Sequence, residues 1–273
     1  MKEWRVLAPD WGQPAAQQMA FDERLAREAV PTVRLFLWNP PAVSLGRKQP
    51  CPEWLKTPRW RAAELELVER PTGGGVAFHG SDVSISVIVP LAWRCPLEAL
   101  MNLVCQSAVM LCDSFGVEAT SVLHAPREGR MTCCLTETTP YAVLIGTRKV
   151  AGFAARRYPQ SWLIQGSLLV QPLPGVLRQV LPADVMDELK ARAMLLSEAT
   201  TTPVREPGVA QRWTDHWPSW WNQLWRVEPH PALAGWHPRS RPAWGDIPPS
   251  RWNLHHRLGP RPRPWPDGGV ELA

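Results

Sequence analysis

Two adjacent cysteines, Cys133 and Cys134, precede the segment Gly146-Thr-Arg-Lys-Val-Ala-Gly152, and an earlier segment, Arg70-Pro-Thr-Gly-Gly-Gly-Val-Ala-Phe-His79, carries three glycines in a row. A cysteine attacks an acyl carbon as its thiolate, and a neighbouring ammonium favours that form. Lys149, set between Gly146 and Gly152, supplies such an ammonium and reads as a turn residue able to reach a carbonyl or phosphate oxygen. Gly73, Gly74 and Gly75 let backbone N–H groups close on an extended ligand, because no Cβ intervenes. Arg70 and His79 flank the run, and His79 is suited either to hold the loop or to touch a ligand. The residue types together suit an activated acyl group. A glycine run alone would suit a plain hairpin turn equally well.

These segments need strands and helices to bring them together. Gln13 to Val30 has the apolar spacing of an amphipathic helix, stopped by Pro31. Val33 to Trp38 and Ala42 to Leu45 read as strands joined by the turn Asn39-Pro-Pro41, and so as a hairpin or an adjacent pair. Leu65 to Arg70 and the strongly alternating Val83 to Val89 predict strands with the glycine loop and His79 between them; Asp82 reads as a turn cap. Pro96 to Phe115 predicts a helix that buries Cys105 and Cys112 on one face. Tyr141 to Ile145 and Val150 to Ala154 predict a strand pair around Gly146, Trp162 to Val170 a further strand, and Ala183 to Ala193 a helix.

The chain has 273 residues, enough for one large domain, and a formal charge of +5 that suits acidic protein partners or anionic ligands. Its arginines are spread along the sequence without a nucleic-acid-binding motif, which argues against nucleic acid. No apolar run reaches membrane-spanning length, and the polar start predicts a cytoplasmic protein. Six cysteines match neither a disulfide scaffold nor a zinc pattern. The composition changes at Thr202: thirteen prolines and nine of the sixteen tryptophans follow it. Residues 1–202 therefore read as the catalytic domain and 203–273 as an extension without long helices. One helix, Trp213 to Trp225, is expected to pack on the core, and the remainder to wrap the surface or bind a partner.

In order along the chain, Ala20-Phe-Asp-Glu-Arg-Leu, Phe36-Leu-Trp-Asn-Pro-Pro-Ala-Val-Ser-Leu-Gly46, Arg70-Pro-Thr-Gly-Gly-Gly, Gly146-Thr-Arg-Lys-Val-Ala-Gly152 and Gln165-Gly-Ser-Leu-Leu169 resemble the motifs of the lipoate-protein ligase and octanoyltransferase family. The resemblance covers roughly residues 10 to 200, and its specificity lies in several motifs agreeing in order. It implies an α/β fold with a mixed β-sheet flanked by helices, related to biotin ligases and the catalytic domains of class II aminoacyl-tRNA synthetases. Cys134 stands fifteen positions before Lys149, as in a cysteine-dependent transferase branch. Cys133 is one position off, and on an extended loop neighbouring side chains point opposite ways.

That branch implies Cys134 and Lys149 as catalytic residues, with Arg70, Gly73, Gly74, Gly75, His79, Gly146 and Gly152 around the substrate. An octanoyl or lipoyl group would pass from an acyl carrier protein through a Cys134 thioester to a lysine of a lipoyl domain or a glycine cleavage H-like protein, without metal or cofactor. The triple glycine is shared with ligases, for which ATP and Mg2+ would be required. A non-catalytic acyl-binding or assembly protein is a third reading. Phe153 stands where the family commonly has serine, and Gln165 where it commonly has histidine; the resemblance puts both beside the acyl or acceptor side of the pocket.

Overall fold

Strand pairing divides the sequence into two sheets. In the computed structural model the described residues are 4–10, 12–124, 133–136 and 139–227. The chain runs β1 (Arg5–Asp10), α1 (Ala15–Glu28), β2 (Thr32–Phe36), β3 (Ala42–Leu45), α2 (Pro58–Ala62), β4 (Glu66–Glu69), β5 (Val76–His79), β6 (Asp82–Pro90) and α3 (Leu97–Asp113). It continues with β7 (Thr120–Val122), β8 (Ala142–Ile145), β9 (Arg148–Arg157), β10 (Ser161–Leu169), α4 (Gly175–Val180), α5 (Ala183–Arg192), α6 (Leu196–Ala199) and α7 (Glu206–Val227). The larger sheet has the order β1-β2-β6-β10-β9-β8-β7 and the smaller β4-β3-β5. Each is mixed, since β1 and β2 run parallel, as do β3 and β4, while the other pairs are antiparallel.

β2 and β3 do not form the expected hairpin or adjacent pair. β2 lies between β1 and β6, so both its edges are taken, and β3 lies between β4 and β5 in the other sheet. The segment across Asn39 to Pro41 is thus a crossover from one sheet to the next. β5 was also absent from the sequence reading: only four residues long and preceded by glycines, it carries little periodic signal, yet it is buried throughout.

α1 occupies the space between the sheets. Phe21, Leu25 and Ala26 pack with Leu7, Ile88, Tyr158 and Leu163 of the larger sheet, while Ala15 and Met19 pack with Phe36, Trp38, Ala42 and Val68. The Glu66 carboxylate accepts a hydrogen bond from the Ala15 N–H at the helix start. Beneath α1, the fully buried Arg34 of β2 pairs with Asp22 at 2.5 Å and lies over the rings of Phe21 and Phe36. α2, α4 and α5 cover the smaller sheet with Trp60, Leu177, Val180 and Leu189. α3 and α7 cover the outer face of the larger sheet, and Cys105 and Cys112 are buried together there as expected. No helix among the described residues is long and apolar enough to cross a membrane.

The helix expected over Trp213 to Trp225 is present and packs on the core, but it begins at Glu206 and is longer than the prolines after Thr202 suggest. α7 has 22 residues and carries Pro218 in its interior. Pro207 falls in the first turn, where no intrahelical hydrogen bond is lost. Pro218 costs about 3 kcal/mol, but Trp213, Trp217, Trp220 and Trp221 recur at helical spacing and all sit in the main core. Burying that much aromatic surface outweighs one lost hydrogen bond. Trp4 reaches the same cluster, with ring centroids 4.8 Å from Trp221 and 5.5 Å from Trp93. The rest of the Pro/Trp-rich extension lies outside the described residues. Trp213→Ala should lower the unfolding free energy by about 3–5 kcal/mol in urea denaturation; a loss below about 1 kcal/mol would mean that α7 is not part of the core.

Candidate active site

The site lies at the seam between the sheets, and the glycine loop between β4 and β5 forms one wall. Arg70, at the end of β4, holds that loop. Its Nη1 donates to Ser44 O at 2.9 Å and Ser44 Oγ at 2.7 Å, and its Nη2 donates to Gly73 O at 3.2 Å and Gly75 O at 2.9 Å. Gly74 has φ +106°, outside the range that a side chain tolerates. The loop then settles directly on Gly46, where a Cβ would lie 1.9 Å from Gly74 O. Gly46 N–H donates to Gly75 O, and Arg47 N–H to Thr72 O, so the loop is zipped to the segment that follows β3.

The cysteine pair docks against the start of β5. Cys133 bridges Val76, and Cys134 N–H donates to Val76 O at 2.9 Å. The two side chains diverge, as the extended-loop argument predicts. Cys133 is buried among Val76, Leu135 and other residues of the smaller sheet's core, and burial pushes its thiol up to about 11. Cys134 lines the pocket instead. Its Sγ accepts a hydrogen bond from Gly75 N–H at 2.8 Å and one from Arg70 Nη2 at 3.5 Å.

Lys149 is the second residue of β9 and not a turn residue; the turn is Gly146-Thr147. Ala151 faces the core under α3, so strict alternation would send Lys149 the same way. A register shift between β8 and β9 at Val143 and Leu144 pairs Leu144 with Lys149 and leaves Val150 extra. This bulge turns Lys149 toward the pocket side, where Gly152 and Ala154 also lie. The ammonium donates to Thr139 Oγ1 at 3.1 Å, and the residue is only 4% exposed. Gly152 makes room for it: a Cβ there would lie 2.7 Å from Lys149 Cε and 2.9 Å from Nζ.

His79 sits on β5 and combines the two roles allowed by the sequence. It lines the pocket, and its ring is stacked on Trp38 at 4.0 Å between centroids. Its Nδ1 meets Asp82 Oδ2 at 2.9 Å and its Nε2 meets Ser44 Oγ at 2.6 Å. Asp82 is more than a turn cap, since it also accepts hydrogen bonds from Gly80 N–H, Ser84 and Ser167. Burial pushes its carboxyl up, but attraction to His79 and the hydrogen bonds from His79, Ser167 and Gly80 hold it below the usual carboxylate range.

The pocket thus gathers Arg70, Gly73, Gly74, His79, Cys134, Lys149 and Gly152, with Gly75 touching the Cys134 sulfur. Gly146 is not among the lining residues and serves the β8–β9 turn. Sequence reasoning missed Thr72 and Thr139 in the lining, and Ser44 and Gly46 as the supports of Arg70 and the glycine loop. A serine inside the otherwise apolar Ala42–Leu45, followed directly by glycine, was the available signal. Gln165 lines the pocket, accepts from Thr72 Oγ1 at 2.7 Å and donates to Asp22 Oδ2 at 2.7 Å, tying the glycine loop to the Arg34–Asp22 pair. Phe153 lines the pocket as well and fills the space beside Gly166, where a Cβ would lie 2.0 Å from its ring.

The profile of the lipoyl protein ligase A/B catalytic domain family matches residues 14–217, more than half of the chain. The chain belongs to that family. Among curated relatives it is similar to octanoyltransferase LipM of Symbiobacterium thermophilum, with 31% identity over 222 residues, 74% of this chain and 80% of the relative. The LipM of Kyrpidia tusciae is 29% identical over 208 residues, 70% of this chain and 75% of the relative. Among solved structures, lipoate-protein ligase A bound with ATP aligns with a TM-score of 0.59 at 15% identity, covering 83% of this chain and 94% of the other. A bipartite lipoate protein ligase from Thermoplasma acidophilum, analysed with its E2 lipoyl domain, aligns with a TM-score of 0.59 at 17% identity, covering 83% of this chain and 92% of the other. These structural likenesses establish the mixed α/β fold with flanking helices.

Two outcomes test the geometry. Gly152→Ala forces the flexible end of Lys149 aside, so it should leave the melting temperature nearly unchanged while lowering acyl transfer at least tenfold; unchanged turnover would separate Lys149 from the chemistry. Asp82 is depressed in the folded state, so the stability it contributes is present above its ordinary value of 3.8 and is lost as pH falls below it. Asp82→Asn should therefore show a shallower loss of stability below about pH 4 in acid denaturation followed by circular dichroism.

Proposed function

We propose that this enzyme is an octanoyltransferase of protein lipoylation, working through a thioester on Cys134. The observation that carries the reading is the Cys134 thiol at the glycine-loop amide, with Lys149 in the same pocket. The names of the LipM relatives support octanoyl transfer, and the cysteine-to-lysine spacing supports the covalent route.

In the first step the Cys134 thiolate attacks the carbonyl carbon of an octanoyl thioester on an acyl carrier protein. A carbon–sulfur bond forms to Cys134, the bond to the carrier sulfur breaks, and the carrier leaves as a thiolate that takes up a proton. The glycine-loop N–H groups and the Lys149 ammonium are the donors available to the developing oxyanion. In the second step the deprotonated amine of an acceptor lysine attacks the enzyme thioester, and Cys134 leaves with the electron pair. A proton then leaves the new amide nitrogen.

The acceptor is a lysine of a lipoyl domain or of a glycine cleavage H-like protein; the Thermoplasma ligase was analysed with such a domain. The net charge of +5 suits acidic partners of this kind. The reaction needs no ATP or Mg2+, and its site of action is the cytoplasm.

The test is intact-mass analysis of the full chain mixed with octanoyl carrier, before and after addition of a lipoyl domain. An octanoyl adduct removable by hydroxylamine should form on the wild type and be absent from Cys134→Ala, which should lose at least about 99% of its transfer rate. Full transfer by Cys134→Ala would overturn the nucleophile assignment. Pyrophosphate release on mixing with lipoate and ATP would instead identify a ligase.

A further inference from the structure

Arg70 is a buried guanidinium whose hydrogen-bond acceptors in the structure are four neutral oxygens and one sulfur: Ser44 O, Ser44 Oγ, Gly73 O, Gly75 O and Cys134 Sγ. Among the described residues, no carboxylate lies within ion-pair distance of it. Asp82 connects to it only through His79 and Ser44. A charge held away from water among neutral dipoles is costly, and buried charges are normally answered by an opposite one. Cys134 is the one group among its acceptors that can become an anion by losing a proton.

The hydrogen bonds beyond Arg70 form a continuous line. Arg70 Nη1 donates to Ser44 Oγ, which meets His79 Nε2 at 2.6 Å, and His79 Nδ1 meets Asp82 Oδ2 at 2.9 Å. The line is buried along its length. It holds the guanidinium from behind, while the loop carbonyls hold it from the side.

We infer that Arg70 is a catalytic residue, the counter-ion of the Cys134 thiolate, and that Ser44, His79 and Asp82 are positioning residues that aim its guanidinium at the sulfur. This rests on Cys134 being the nucleophile. The Sγ–H proton passes to solvent, and the resulting anion lies between Arg70 Nη2 and Gly75 N–H. During acylation the charge moves from sulfur to the carbonyl oxygen and then to the departing carrier thiolate. During deacylation the thiolate returns to the same cradle, so Arg70 favours Cys134 as both attacking and leaving group. Of the other titratable groups around the sulfur, Lys149 and His79 line the pocket and Cys133 faces the core. Lys149 is then left to serve the carbonyl oxygen.

Alkylation of Cys134 by iodoacetamide near neutral pH reads the thiolate directly, without a carrier or an acceptor. The full-length chain is used, and the modified residue is assigned by fragment mass spectrometry. Arg70→Gln should lower the alkylation rate about tenfold and octanoylation by at least as much, while Arg70→Lys should recover part of the loss. Ser44→Ala removes one hydroxyl behind the guanidinium and should lower alkylation by a smaller factor, about threefold. Alkylation of Arg70→Gln at the wild-type rate overturns the inference. If that variant does not fold, unchanged alkylation of Ser44→Ala does so instead. Octanoyl transfer by Cys134→Ala separately tests the nucleophile reading on which this rests.

Discussion

The site depends on one buried cation gripping one glycine loop. Arg70 binds the carbonyls of Gly73 and Gly75 and draws them to one side, which leaves the Gly75 N–H directed at the Cys134 sulfur. The loop lies outside the strands. Its shape comes from the guanidinium fork, the positive φ of Gly74, the absence of a side chain at Gly46 and the backbone hydrogen bonds from Gly46 and Arg47. A planar fork with several donors suits this task better than a lysine, because it binds multiple carbonyls in fixed directions.

Around that grip two polar networks converge from different sheets. From the smaller sheet and the start of β6 come Ser44, His79 and Asp82, with the His79 ring stacked on Trp38. From the larger sheet and α1 come Arg34, Asp22, Gln165 and, through it, Thr72 of the glycine loop. Polar groups buried at this density are stable only when each finds a partner, and that requirement makes the two sheets interdependent at the pocket. Gln165 makes this linkage directly, accepting from Thr72 and donating to Asp22. The apolar walls, from Met19, Phe36 and Trp38, belong to the layer that joins α1 to both sheets.

Much of the fold was legible because strand alternation and helical spacing are local properties. The alternation of Val83 to Val89, the apolar face of α1 and the buried pair Cys105 and Cys112 all follow from residues within a few positions of one another. The choice of pairing partner is not local. β2 and β3 looked like neighbours because they adjoin in sequence, but the free edges of β1, β6, β4 and β5 competed for them and won. The core-packed helix over Trp213 to Trp225 was legible too, but its start at Glu206 was not: the prolines are strong local signals, and they are overruled by tryptophan burial that depends on Trp4, Trp93 and α3 being nearby.

For the site, the sequence by itself determined the reactive residue types, the glycine run and the spacing from Cys134 to Lys149, and the order of motifs pointed to the family. Only the tertiary structure decided which cysteine faces the pocket, because one thiol is buried against the smaller sheet while its neighbour meets the loop. It also decided that Lys149 approaches from a strand, since a bulge that pairing alone creates reverses the side its position would dictate. Beside its local partners Gly73 and Gly75, Arg70 meets Ser44 and Cys134, which lie 26 and 64 residues away in sequence. No spacing rule links such residues; what joins them is the need of a buried charge for surrounding dipoles and an anion.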